Sequence, residues 1–278
     1  MAGPADALST RPPEAGLPEP LASVPLLIVS PHLDDAALSC AALIARRLPV
    51  DVLTLFAGEP DPPRQGSWDR TIGFPDSAAS MRARREEERA AFAATPHRLH
   101  LLDLIEWQHL AGPRPAEDID AIADAVIRWN RQADRGFVAI PAGAGLTPGR
   151  IRGRMRKLAG AALGPTQHPD HVFARDAVLE ALSSLVDLQV VLYEEFPYSR
   201  VKGADGRVAR LARRHGLAAE RLAVPVDRGV KAARIAFYAT QVPHLGVDGR
   251  RVDRPEDLPG EERYWLLTRE RGRAAPSG

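Results

Sequence analysis

The chain has 278 residues, eight histidines and a single cysteine, Cys40. That length suits one large domain or two small ones, and one cysteine excludes a disulfide framework and any cysteine-built zinc or iron–sulfur site. Thirty-seven basic and 36 acidic side chains leave a net charge of +1, so no whole-protein field draws nucleic acid or an anionic membrane, and any bound metal must rest on histidine and carboxylate.

The first twenty residues hold five prolines and no compact apolar block, the composition of a disordered leader and not of a signal peptide. No apolar run reaches the ~18–20 residues of a membrane span. A cytoplasmic protein follows as the expectation, with a disordered leader over 1–22, a single domain over 23–270 and a disordered tail over 271–278.

Residues 24–30 (VPLLIVS) form a continuous apolar run, as in a strand buried on both faces. Apolar residues at helical spacing follow over 38–48, then a second strand over 50–57 and a strongly charged helix over 80–94. A third strand is expected at 98–104, a helix at 116–131, a fourth strand at 136–141, a helix at 170–186 and a fifth strand at 188–194. The remainder is arginine-rich and less regular, with one clear helix at 228–241. Strand and helix in alternation predict an α/β fold, a Rossmann-like, mainly parallel sheet with helices on both faces. Ligands then bind at the carboxyl edge of the strands.

The first strand runs into Ser30-Pro31-His32-Leu33-Asp34-Asp35. Two adjacent aspartates at a turn are electrostatically unfavourable unless a cation accepts them. A second cluster, Gln167-His168-Pro169-Asp170-His171, follows the fourth strand and opens at the same edge. His32, Asp35 and His171 make a two-histidine, one-carboxylate set that suits catalytic zinc or non-haem iron. Water on such an ion loses a proton near neutral pH and becomes a nucleophile. Asp34, beside the ligand Asp35, is placed to take that proton, His168 to face the developing oxyanion or protonate a leaving amine, and Asp170 to orient a histidine. The bland reading of each cluster alone is a satisfied polar group or a helix N-cap; the two together at one sheet edge favour a site.

Pro31-His32-Leu33-Asp34-Asp35 and His168-Pro169-Asp170-His171 resemble the two signature motifs of the PIG-L/LmbE-like metal-dependent N-deacetylases. Further landmarks of that family stand in order: 52–60 (VLTLFAGEP), 81–87 (MRARREE), 193–198 (YEEFPY), Lys231, Tyr238, Gln241 and 262–265 (ERYW). The resemblance implies a metal-dependent hydrolase that removes an N-acetyl or larger N-acyl group from an amino sugar such as N-acetylglucosamine or from its conjugate. It implies His32, Asp35 and His171 as metal ligands, Asp34 as general base and His168 as electrostatic stabiliser or acid. The ion is usually Zn2+, with Fe2+ in some members. By resemblance Arg85 and, in the loop after the second strand, Asp69 are candidates for substrate contact, though a solvated face is the plainer reading of the Arg85 helix. Glu194 ends the fifth strand toward the same edge and is a third candidate, with a structural hydrogen bond at least as fitting.

Leu33 and Ala36 stand where the family more often has proline and glutamate. Residues 142–167 form an insert where the family usually has a short glycine-rich loop, and within it 150–157 (RIRGRMRK) packs five basic residues into eight. On the site's rim that run would attract an anionic substrate; on a solvated face it would do nothing. Trp107, Trp129 and Trp265 read as core or subunit contacts rather than sugar platforms, with Trp68 the exception, and a homo-oligomer is compatible with this; Cys40 reads as a buried filler. The alternative function is an amidase that acts on a non-sugar or thiol-conjugate amide at the same metal site. An iron oxidoreductase and a non-catalytic binding protein fit the strand pattern and the retained ligands less well.

Overall fold

In the computed structural model, which describes residues 16–134, 136–144, 167–183 and 189–269, the run 24–30 becomes β1 (Leu26–Ser30), buried at every position. Its side chains alternate between two cores: Leu26 and Ile28 enter one, Leu27 and Val29 the other. A continuous apolar run is what a strand covered on both faces requires, and each such side chain withdrawn from water stabilises the fold by about 1.5–3 kcal/mol.

α1 (Glu19–Ser23) precedes β1, and α2 (Asp35–Ser39), α3 (Ala41–Ile44), β2 (Asp51–Thr54), α4 (Ser67–Thr71), α5 (Ser77–Ala93) and β3 (Arg98–Leu101) follow it. Then come α6 (Glu117–Ala133), β4 (Phe137–Pro141), α7 (Pro169–Leu182), β5 (Val190–Tyr193), α8 (Asp205–His215), β6 (Leu217–Pro225), α9 (Arg228–Ile235) and β7 (Glu261–Arg269). The seven strands form one sheet in the order β3-β2-β1-β4-β5-β7-β6. The first five are mutually parallel, and β7 lies antiparallel between β5 and β6. This is the mainly parallel α/β fold the sequence predicts. Residues of α2, α3, α5 and α9 pack into the core that holds Ile28, and residues of α6, α7 and α8 into the core that holds Val29, so both faces are covered. No described helix is long and apolar enough to cross a membrane.

The expected helix over 38–48 is instead two short helices that break at Cys40. The reason lies far away in sequence: the buried Glu262 carboxylate accepts from the backbone N–H of Ala41 at 3.0 Å and of Ala42 at 2.9 Å, so a second helix starts there with a borrowed cap. Cys40 itself is fully buried. The expected helix over 228–241 stops at Ile235. Beyond it Glu87 of α5 takes the Thr240 backbone N–H at 2.7 Å and its hydroxyl at 2.8 Å, which holds that stretch in a turn. α8, β6 and β7 fall within the stretch that reads as irregular. β6 is an edge strand with most positions exposed or half-buried, so it lacks the apolar signal that marks the central strands.

Part of the expected leader, residues 16–22, is described and packs on the domain. Leu21 of α1 is buried, and Arg46 donates to its carbonyl at 2.7 Å. The earlier part of the leader, the basic run 150–157 and the tail 271–278 lie outside the described residues.

His97, just before β3, accepts the Val50 backbone N–H at its Nδ1, 3.2 Å away. Burial, with Arg234 and Arg46 nearby, pushes its pKa down to about 4. The unfolded chain protonates this histidine near pH 6.5 and the folded chain only near 4, so its contribution to stability is intact above 6.5 and falls away as the pH drops to 4. His97→Gln is expected to flatten the dependence of the urea midpoint on pH within that window. An unchanged slope would contradict this.

Strand order reverses direction beside β1: β2 and β3 extend the sheet to one side, β4 and β5 to the other. At such a switch point the carboxyl ends of two neighbouring parallel strands diverge and leave a crevice. β1 leads into the first motif and β4 leads toward the second.

Candidate functional site

The first motif sets its own turn. Ser30 Oγ donates to the His32 carbonyl at 2.7 Å and accepts from Ala36 N–H at 3.1 Å, while Asp35 Oδ2 accepts from His32 N–H at 2.9 Å. Asp34 takes φ 158° and ψ −24°, a conformation that L-residues seldom adopt. The two aspartates therefore point different ways. The second motif opens α7, with Pro169 at its first turn and His168 as its N-cap.

Asp170 Oδ2 accepts from His32 Nε2 at 3.0 Å, which leaves the lone pair of His32 on Nδ1. Glu195, after β5, plays the same part for His171: its Oε1 lies 3.4 Å from His171 Nδ1 and leaves the lone pair on Nε2. Glu195 Oε1 is fixed by the backbone N–H groups of Gly143 at 2.6 Å and Ala144 at 2.5 Å. Gly143 has φ 86°, and a Cβ there would meet Arg175 Nη1 at 2.6 Å, so only glycine makes this turn.

The free atoms converge. Asp35 Oδ2 lies 3.2 Å from His32 Nδ1 and 3.3 Å from His171 Nε2, and those two nitrogens are 3.3 Å apart. Tetrahedral zinc with bonds of about 2.0–2.1 Å demands donor separations of about 3.3–3.4 Å. Three lone-pair atoms at these separations repel one another unless a cation or protons sit between them. His32 and His171 answer with protons: burial works against their charge, yet Asp170 and Asp35 raise His32 well above the usual imidazole range, and Asp35 raises His171 to about 9. Burial likewise opposes the Asp35 charge, and His171 and His32 outweigh it, holding Asp35 well below the carboxylate range. These residues fit a divalent ion.

His32, His168 and His171 also group together, with one donor atom from each inside 4.8 Å. His168 is otherwise engaged. Its Nδ1 accepts the Asp170 backbone N–H at 3.2 Å, so the neutral ring carries its proton on Nε2 and presents a donor rather than a lone pair. Burial, followed by the charges of His32 and His171, pushes its pKa down to about 3, which keeps it neutral. The carboxylate set therefore suits a metal better than the three-histidine set, and His168 suits a developing negative charge.

Asp34 is buried, and no hydrogen bond ties its side chain among the described residues. Burial and the adjacent Asp35 charge push it above the ordinary carboxylate range. The charge of Arg84, a buried residue of α5 that pairs with Glu106, offsets part of that rise.

The three residues singled out for substrate contact are placed elsewhere than in this triangle. Arg85 pairs with Asp103 and, at 3.7 Å, with Glu59. Glu194 caps Ala204 N–H at 2.8 Å and pairs with Arg263 at 3.4 Å. Asp69 is fully buried and accepts from Gly66 N–H and from His109 Nε2, both at 2.7 Å. Residues the motifs did not single out surround the site instead: Glu195, Arg84, Glu106, Tyr198, whose ring packs edge-on to His171 at 5.5 Å, and Arg114. Arg114 pairs with Asp170 and lies 4.3 Å and 4.9 Å from the rings of Phe56 and Phe173.

The profile of the family described as PIG-L, GlcNAc-PI de-N-acetylase, matches residues 27–182. No curated protein matches the chain in sequence. Among solved structures, a zinc-inhibited form of teicoplanin deacetylase Orf2 is similar with a TM-score of 0.64 at 21% identity, over 90% of this chain and 100% of that one. A triple mutant of the deacetylase of the teicoplanin biosynthetic pathway is similar with a TM-score of 0.64 at 25% identity, over 89% and 99%. The A40926 pseudoaglycone deacetylase Dbv21 is similar with a TM-score of 0.62 at 24% identity, over 88% and 97%.

Proposed function

The chain belongs to the PIG-L de-N-acetylase family, and from that premise we propose that it is a metal-dependent hydrolase that removes an acetyl, or larger acyl, group from an amino sugar carried on a larger conjugate. The observation that carries this reading is the triangle of Asp35 Oδ2, His32 Nδ1 and His171 Nε2, with edges of 3.2 and 3.3 Å. The similar structures named above are a teicoplanin deacetylase and an A40926 pseudoaglycone deacetylase, which motivates a large conjugate as substrate.

His32, Asp35 and His171 would hold the ion, zinc or ferrous iron, and that ion supplies a Lewis acid and an acidified water. Asp34, unbonded and raised in pKa, accepts the proton of the attacking water and passes it to the amide nitrogen as the C–N bond breaks. His168 donates its Nε2–H to the carbonyl oxygen as that oxygen becomes negative. Asp170 and Glu195 keep both histidine ligands in the tautomer that presents a lone pair. The products are acetate and a free amine.

The test is a panel of N-acetylated sugars and conjugates, offered to protein loaded in turn with Zn2+, Fe2+ and Co2+. Acetate and amine are expected in equal amounts, and a chelator should abolish both. Turnover of acyclic N-acyl amides with none of any N-acetyl sugar would overturn the sugar assignment, and turnover undiminished by chelation would overturn the metal.

A further inference from the structure

We propose that Trp107 is the platform on which the sugar ring of the substrate rests, which makes it a specificity-determining residue; the inference rests on the reading of the site as an amino-sugar deacetylase. Trp107 is 43% exposed, one of three large hydrophobic residues left in solvent among the described residues. It opens a short 3-10 turn, Trp107–His109, in which everything except the indole is held down.

The Trp107 backbone N–H donates to both oxygens of Asp170, at 3.1 and 3.2 Å. Asp170 is the residue that accepts from His32 Nε2 at 3.0 Å, so a single carboxylate ties the backbone beneath the indole to a proposed ligand. The Gln108 amide donates to Glu106 at 2.7 Å and accepts from Trp68 N–H at 3.1 Å. His109 is buried and donates to Asp69 at 2.7 Å. Three buried carboxylates thus pin the turn, and its one large apolar side chain is left exposed on a backbone that Asp170 joins to His32. A solvent-facing indole on a rigid support is pre-organised to cover an apolar surface at little entropic cost.

The occupant follows from the neighbours of Trp107. An acyl chain needs a continuous apolar wall, whereas Trp107 stands in the chain between Glu106 and Gln108, and its backbone N–H is held by Asp170, which also pairs with Arg114. An exposed aromatic ring among polar neighbours suits a pyranose, which offers a face of C–H bonds and a rim of hydroxyls.

The experiment compares wild type, Trp107→Ala and Trp107→Phe, all checked for equal metal content. Substrates are an N-acetylglucosaminide, N-octanoylglucosamine and N-acetylethanolamine, an acyclic amide. For Trp107→Ala, KM for the glucosaminide is expected to rise about tenfold with kcat within about a factor of two, and selectivity for the glucosaminide over the acyclic amide to fall about tenfold. Trp107→Phe should recover most of the loss. Unchanged selectivity, or a loss confined to the octanoyl substrate, would overturn the proposal. Should no amide be hydrolysed with any ion, the deacetylase reading fails and an emission titration with N-acetylglucosamine decides this one. A fluorescence change in wild type that is missing from Trp107→Phe supports the platform; the same change in both proteins, or none in either, rules it out.

Discussion

His171→Ala is expected to come through purification without its divalent ion and without measurable turnover, whereas Asp34→Asn keeps the ion at wild-type stoichiometry and loses activity by about 10²–10⁴-fold. The two variants separate holding the metal from moving the proton. His171 supplies one corner of the donor triangle and is fully buried, so its loss leaves Asp35 and His32 with two donors only. Asp34 makes no side-chain hydrogen bond among the described residues, so an isosteric amide there disturbs no packing and removes only the basic oxygen. Metal analysis beside an acetate-release assay checks both. Stoichiometric metal in His171→Ala would sink the ligand set, and near-normal turnover in Asp34→Asn would remove the base.

The second large effect concerns stability. Lys231 and Glu262 are a buried pair at 2.6 Å, and Lys231 also lies 4.9 Å from the centre of the Phe196 ring. Glu262 spends its remaining capacity on Ala41 N–H, Ala42 N–H and the Tyr264 hydroxyl, the last at 2.5 Å. Removing one partner strands the other charge in the core, so Lys231→Met is expected to cost about 3–5 kcal/mol in chemical denaturation. Lys231→Met with Glu262→Met should cost less than the sum of the single changes, since no charge is then left behind. Additive costs would show that the pair is not coupled.

The central parallel strands β1, β2, β4 and β5 were legible because they bury both faces, and two-sided burial writes itself as apolar runs; β3, at the edge, is exposed or half-buried. The antiparallel half was not legible. β7 carries Glu262 inside the core and β6 faces water, so neither shows a clean period. The first motif was legible for a related reason: its residues are consecutive and follow directly on a strand whose end is easy to find, whereas the second stands beyond the insert that follows β4 and shows itself only as a cluster of histidine and aspartate.

Residues that act from other elements needed a phase as well as an identity. On α5, Met81, Arg84, Glu88, Ala91 and Phe92 share the buried face at helical spacing, so Arg84 turns inward and Arg85 outward. Past β5, Val191 and Tyr193 share one face, and a period of two carries Glu195 toward the site and Glu194 away from it. Both choices were present in the sequence as periodicity. Trp107 was not: nothing in its neighbours shows that Asp170, 63 positions later, holds its backbone.

The cap that Glu262 lends to α3 has a consequence for how the protein is made. The helix pair that carries the first motif waits on a carboxylate 221 positions downstream of Ala41. A growing chain can lay down β1, the Asp34 turn and Cys40 early, but the second helix has no cap until β7 emerges and docks. The proposed metal-binding turn is thus synthesised well before the strand that secures it, and its closure is a contact of long sequence separation, the slowest kind to form.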